Sequence, residues 1–108
     1  MTVDKAEQLQ QQPNGRIVHY AGPVTLRQQS ETANGVIFVS LEDETGVVQV
    51  ICWRSIREKQ RQPLLDSRLL EVHGIWQREG EMCSLIAGWL VDLTGLLGRL
   101  PTSSRDFS

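Results

Sequence analysis

The chain has 108 residues, 40 % hydrophobic and 22 % charged, with 11 basic and 13 acidic side chains for a formal net charge of −2. That size carries one domain with a core of its own, and the composition excludes wholesale disorder. The near-neutral balance excludes a protein that coats DNA by bulk charge. The apolar runs fall far short of the ~20 residues that span a bilayer, and the start MTVDKAEQLQQQ, polar and acid-bearing, is not expected to be a secretory signal.

Residues 1–15 are Gln-rich and close on Pro13-Asn14-Gly15. They read as a flexible tail or short helix outside the core, followed by a turn. The first strand is expected over residues 17–26, with Gly22-Pro23 inside it as the point where it bends. A polar loop over 28–34 leads to Gly35 and a second strand over 36–41. Glu42-Asp43-Glu44-Thr45-Gly46 is an acidic turn suited to a tight hairpin, and the third strand follows from Val47 to Trp53. Arg54 to Gln62 reads as one short helix, with Ser55 and Glu58 as its capping box and Pro63 ending or bending it. A fourth strand is expected over 68–77, a turn at Arg78-Glu79-Gly80-Glu81, and a fifth strand over 82–93. The last fifteen residues read as a loosely held tail.

The order is three strands, one helix, two strands. It predicts an all-β domain with one short helix, a five-stranded OB-fold Greek-key barrel over residues 16–93, between a tail at 1–15 and another at 94–108. Gly22 and Gly74 fall where the strands of such a small barrel must coil sharply. An SH3-like barrel competes but lacks a helix at that position.

The chemistry-bearing residues are few. Cys52, Cys83, His19 and His73 show no metal-ligand spacing, and the cysteines read as reduced, packed thiols, with a disulfide as the minor alternative. Glu42-Asp43-Glu44 reads as a solvated turn rather than a metal site. No phosphate-binding loop and no nucleophile–base pair is present, so the isolated chain is expected not to be an enzyme.

Binding has more support. The period of two puts Ile37, Val39 and Leu41 on one face of the second strand, as core, and Phe38 with Ser40 on the other. Gln49 on the third strand marks its outer face, level with Phe38. OB-folds bind across strands 2 and 3 and the flanking loops, using aromatic stacking and basic side chains. Phe38 therefore either stacks on a base or packs under loop residues 28–34. Arg27 and Arg78 begin the two flanking loops and are candidate phosphate contacts, or else solvated loop charges. The helix gathers Arg54, Arg57, Lys59 and Arg61 against Glu58. That face could meet phosphate, dock on protein, or serve solubility.

Residues 21–28 (AGPVTLRQ) and 32–46 (TANGVIFVSLEDETG) resemble the nucleic-acid-binding OB domain of bacterial C-family DNA polymerases. The stretches EKQR (58–61), RLL (68–70), WQREGE (76–81), LLGRL (96–100) and SRDF (104–107) resemble the extreme C-terminus of the error-prone members of that family. Trp89 departs from the pattern, standing where a basic residue is more usual. The resemblance implies a module of a large DNA-directed DNA polymerase used in translesion synthesis and damage-induced mutagenesis in the bacterial cytoplasm. Its catalytic carboxylates and Mg²⁺ would lie in a palm domain outside this chain, so no cofactor is expected here. The L-E-D-x-x-G-x-x-Q stretch also resembles anticodon-binding OB domains, which use a Phe and a Gln at these pattern positions to hold bases. The expected site is Phe38, Gln49, Arg27, Arg78, Ser40 and Arg54. The expected partners are single-stranded DNA, the remainder of the polymerase and other mutagenesis proteins, with no membrane. A protein-docking OB module is one alternative and an RNA- or tRNA-binding OB domain the other.

Overall fold

A computed structural model describes residues 5–29 and 35–99. Five strands carry the alternation seen in the sequence: β1 (Arg16–Gln29), β2 (Ile37–Asp43), β3 (Gly46–Cys52), β4 (Leu69–Glu79) and β5 (Met82–Asp92). They close into a barrel in the order β1-β2-β3-β5-β4. The β3–β5 pairing is parallel and the rest antiparallel. This is the OB-fold architecture that the element order predicts.

Closure depends on β1 serving two neighbours. Arg16 to Pro23 pair with β4, and Val24 to Gln29 pair with β2. The changeover falls between Pro23 and Val24, and the proline has no N–H to lose from a ladder. Inward residues of all five strands fill the barrel: Val18 and Tyr20; Ile37, Val39 and Leu41; Val48, Val50 and Cys52; Leu70, Val72 and Trp76; Leu85, Ala87 and Leu90. Cys52 and Cys83 are free thiols, and burial pushes that of Cys52 up to about 12.

The helical connection differs from the single helix expected over 54–62. It is α2 (Arg54–Lys59) and α3 (Arg61–Asp66), broken at Gln60. Gln60 leaves helical geometry at φ −129°, and its side-chain amide pairs with β5. Its Nε2 donates to the Leu90 carbonyl and its Oε1 accepts from the Leu90 N–H, both at 2.7 Å. These are backbone groups that β5 would otherwise leave unpaired. Pro63 does not end a helix. It lies in the first turn of α3, where the missing N–H costs nothing. Ser55 is not a cap, because Trp53 occupies the N-cap position.

The N-terminal segment also departs from a tail outside the core. Ala6–Leu9 form a one-turn helix, α1, with both end residues buried in the barrel's cluster. Asp43 holds it. One carboxylate oxygen accepts the Ala6 N–H at 2.8 Å, and the other accepts the Thr45 N–H, the Thr45 hydroxyl and the Gly46 N–H. Burial acts to raise the Asp43 pKa. The bonds from Thr45 and Ala6, with the Tyr20 hydroxyl nearby, outweigh it and leave the carboxyl at about 2. The acidic turn is thus an internal latch at Asp43, with Glu44 pairing to Lys5 at 3.2 Å on the surface. At the other end, Thr94–Arg99 form a 3-10 helix. The Ser104-Arg105-Asp106-Phe107 stretch lies outside the described residues.

Candidate nucleic-acid interface

The outer faces of β2 and β3 carry Phe38 and Gln49, as alternation requires once Ile37, Val39, Val48 and Val50 point inward. The β2–β3 register pairs Ser40 with Gln49 and Phe38 with Ile51. Parallel pairing of β3 with β5 then brings the β4–β5 hairpin alongside. A groove of about 570 Å³ results, lined by Phe38, Gln49 and Ile51 on one side and Gln77, Glu79, Met82, Cys83 and Ser84 on the other. Phe38 and Gln49 both keep partial exposure there.

Ser40 has a supporting position. It is 9 % exposed, and its hydroxyl donates to Gln49 Oε1 at 3.1 Å. That bond holds the Gln49 amide by its oxygen and leaves both Nε2 protons to face a ligand acceptor. Ser40 thus fixes the orientation of the Gln49 amide.

Arg27 and Arg78, expected to begin the flanking loops, lie instead within β1 and β4, and neither lines the groove. Arg27 turns inward to the end of α3. Its Nε donates to the Leu64 carbonyl at 2.6 Å and its Nη2 to the Ser67 carbonyl and, at 3.3 Å, the Ser67 hydroxyl. A guanidinium is well suited to capping terminal helix carbonyls. Arg78 does the same for the N-terminal segment, donating to the carbonyls of Gln10 and Gln12 while its own N–H bonds Asn14 Oδ1 at 2.7 Å. Each guanidinium donates through Nε and Nη2 to oxygens of a remote segment. Arg54 is different: it lies open on α2, and its contact with Glu58 at 3.3 Å joins side chains that are 69 % and 65 % exposed. Such an exposed pair is worth little and yields to a stronger anion. Gly35, where the chain re-enters β2 three residues before Phe38, lies beside Arg54 and Arg57.

The β4–β5 side of the groove escaped the sequence reading. Gln77 and Glu79 have the opposite parity to the buried Leu70, Val72 and Trp76, and that alternation was the available signal. What no local pattern could supply was the parallel β3–β5 contact that brings them opposite Gln49.

Comparisons with known proteins bear on the fold as a whole. Residues 15–89 match the tRNA anti-codon family, an OB-fold nucleic acid binding domain. The chain is 56 % identical over 94 residues to an error-prone DNA polymerase of Ralstonia pickettii (strain 12J), covering 87 % of this chain and 9 % of that protein. It is 48 % identical over 105 residues to one of Burkholderia mallei (strain ATCC 23344), covering 97 % of this chain and 10 % of the relative. The chain therefore spans about a tenth of the length of these curated relatives. Among solved structures, asparaginyl-tRNA synthetase from Pyrococcus horikoshii superposes with a TM-score of 0.69 at 19 % identity, over 86 % of this chain and 22 % of that one. RecG bound to a three-way DNA junction superposes at 0.65 and 13 % identity, over 91 % of this chain and 13 % of RecG. At those identities the likeness is one of fold.

Proposed function

Because the chain belongs to the OB-fold nucleic acid binding domain family and matches a domain of error-prone DNA polymerases, we propose that it holds single-stranded template DNA for such a polymerase in translesion synthesis. The setting is the bacterial cytoplasm, and the partner in cis is the rest of the polymerase. Its contribution is binding, not nucleotide transfer. The observation that carries this reading is the shared groove of Phe38 and Gln49. It offers an aromatic face for a base and, beside it, an amide clamped by Ser40 so that its N–H groups face outward. Stacking is sequence-tolerant, because every base has a π-face, and suits a template of any sequence. Glu79, on the far wall, can accept from a base amino group and repels phosphate. The backbone then runs on the Gly35 side, near Arg54 and Arg57.

A second reading, an OB barrel that docks protein within a mutagenesis complex, draws on one observation: Arg27 and Arg78 are committed to internal carbonyls. One titration separates the two. Oligothymidylate binding should weaken by about 1–3 kcal/mol in Phe38→Ala. With only Arg54 and Arg57 near the phosphates, the slope of log K against log salt should be shallow, about −1 to −2. Absence of binding by the parent chain, or affinity untouched by Phe38→Ala, would favour docking.

A further inference from the structure

The outer surface of the barrel carries a cross-strand apolar row that the Phe38 groove uses only at one end. Ile17 pairs with Ile75, Ile75 with Ile86, Ile86 with Ile51, and Ile51 with Phe38, one residue from each strand. Beside this row lies a second groove of about 390 Å³, lined by Asn14, Gly15, Trp53, Ile75, Trp76, Gln77 and Ile86. The two grooves adjoin. Gln77 borders both, and Ile51 in the first is the register partner of Ile86 in the second.

We propose that this second groove is a nucleobase subsite, with Trp53 as its stacking platform, so that a single strand passes from Phe38 to Trp53 across β3. The inference rests on the reading of the Phe38 groove and extends it. Three observations converge. Trp53 is 47 % exposed, yet its backbone is fixed as the N-cap of α2, its carbonyl accepting the N–H groups of Ile56 at 3.0 Å and Arg57 at 3.1 Å. A half-open indole on an ordered backbone has only its own side-chain freedom to lose on stacking. Next, the wall of the groove carries polar side chains, Gln77 and Asn14, beside the apolar row. Asn14 adds donors, since its oxygen is already taken by the Arg78 N–H. Finally, Arg54 follows Trp53 directly and stands open to solvent, the pairing of aromatic and cation that single-strand grooves use.

The spacing fits. Phe38 is opposite Ile51, and Trp53 is two residues further along, a diagonal of about 7–8 Å. That is about twice the ~3.4 Å rise of stacked bases. Neighbouring bases would part from each other, each lying on its own aromatic ring.

The test uses the whole chain with a thymidine trinucleotide and a thymidine octanucleotide, read by tryptophan quenching and by anisotropy of labelled oligomer. Trp53→Ala should weaken the octanucleotide roughly five- to a hundredfold, while Trp53→Phe retains most of the affinity and the parent's quenching falls. Phe38→Ala should weaken both oligomers. A denaturant melt of each variant fixes the folded fraction, and the half-open Trp53→Phe keeps the test valid if Trp53→Ala folds poorly. Octanucleotide affinity unchanged in Trp53→Ala but lowered in Phe38→Ala overturns the second subsite and leaves the first standing. Affinity unchanged in both overturns both, and the apolar row then belongs to a protein contact.

Discussion

Phe38 and Arg27 were both candidates for the same ligand, and the structure separates them by what each side chain already touches. The face of Phe38 was legible in the sequence, because Ile37, Val39 and Leu41 form an unbroken inward row and leave the intervening residues outside. The fate of Arg27 was not legible. Its acceptors are carbonyls of Leu64 and Ser67, some forty residues away, and backbone oxygens leave no mark in a sequence. The same holds for Arg78 and the carbonyls of Gln10 and Gln12. Arg27→Ala should therefore act on folding. Losing charge-assisted bonds to the end of α3 should cost about 2 kcal/mol, read as a lower urea midpoint. Oligothymidylate affinity per folded molecule should stay within about twofold, a change of less than 0.5 kcal/mol. The reverse pattern, intact stability with lost affinity, would return Arg27 to the phosphate.

Among the elements, the five strands and their order could be read from period-two alternation and turn residues, because each strand's core face is set within the strand. The broken helix could not. Its interruption at Gln60 answers a need of β5, whose Leu90 backbone groups are met by that one amide. The β4–β5 pairing has a comparable non-local constraint. The register shifts between His73 and Gly74, so that His73 faces Trp89 but Gly74 faces Ala87. At that bulge a Cβ on Gly74 would fall onto the Ile86 carbonyl, 2.9 Å from its carbon. Because the obstacle is backbone rather than a flexible side chain, Gly74→Ala must push two paired strands apart. We expect a loss of about 3 kcal/mol or more, at the upper end for overpacking, seen as a lowered thermal midpoint by circular dichroism. Gly80→Ala is the control. Gly80 has φ +64° with nothing near its missing Cβ, so it should cost only the left-handed conformation, about 1–2 kcal/mol. If the two variants melt together, the close approach at Gly74 is not a constraint on the barrel.

At the scale of the whole molecule, the barrel is closed on its side by strand pairing, and residues from outside the sheet complete its core. Ile56 and Leu64 reach it from α2 and α3, and Ala6 and Leu9 from α1. The polar, Gln-rich start of the chain hid this, because only two of its apolar residues matter and a four-residue helix has no periodicity to display. Remote anchors along its length fix the segment. Asp43 takes the Ala6 N–H, Arg78 takes the carbonyls of Gln10 and Gln12, and the Gly15 N–H bonds the Trp76 carbonyl at 2.7 Å. The last of these ties the N-terminal segment to the strand residue that walls the second groove. One short segment therefore both fills part of the core and braces the wall of the second groove. Leu9 is wholly buried, so Leu9→Ala should behave as a core truncation, costing about 2–5 kcal/mol, whereas the same change in a solvated tail would stay within about 0.5 kcal/mol. Chemical denaturation of parent and variant decides it, with Gln11→Ala on the exposed side of the segment as the neutral comparison. A Leu9→Ala midpoint equal to that of Gln11→Ala would mean that the barrel stands without its N-terminal helix.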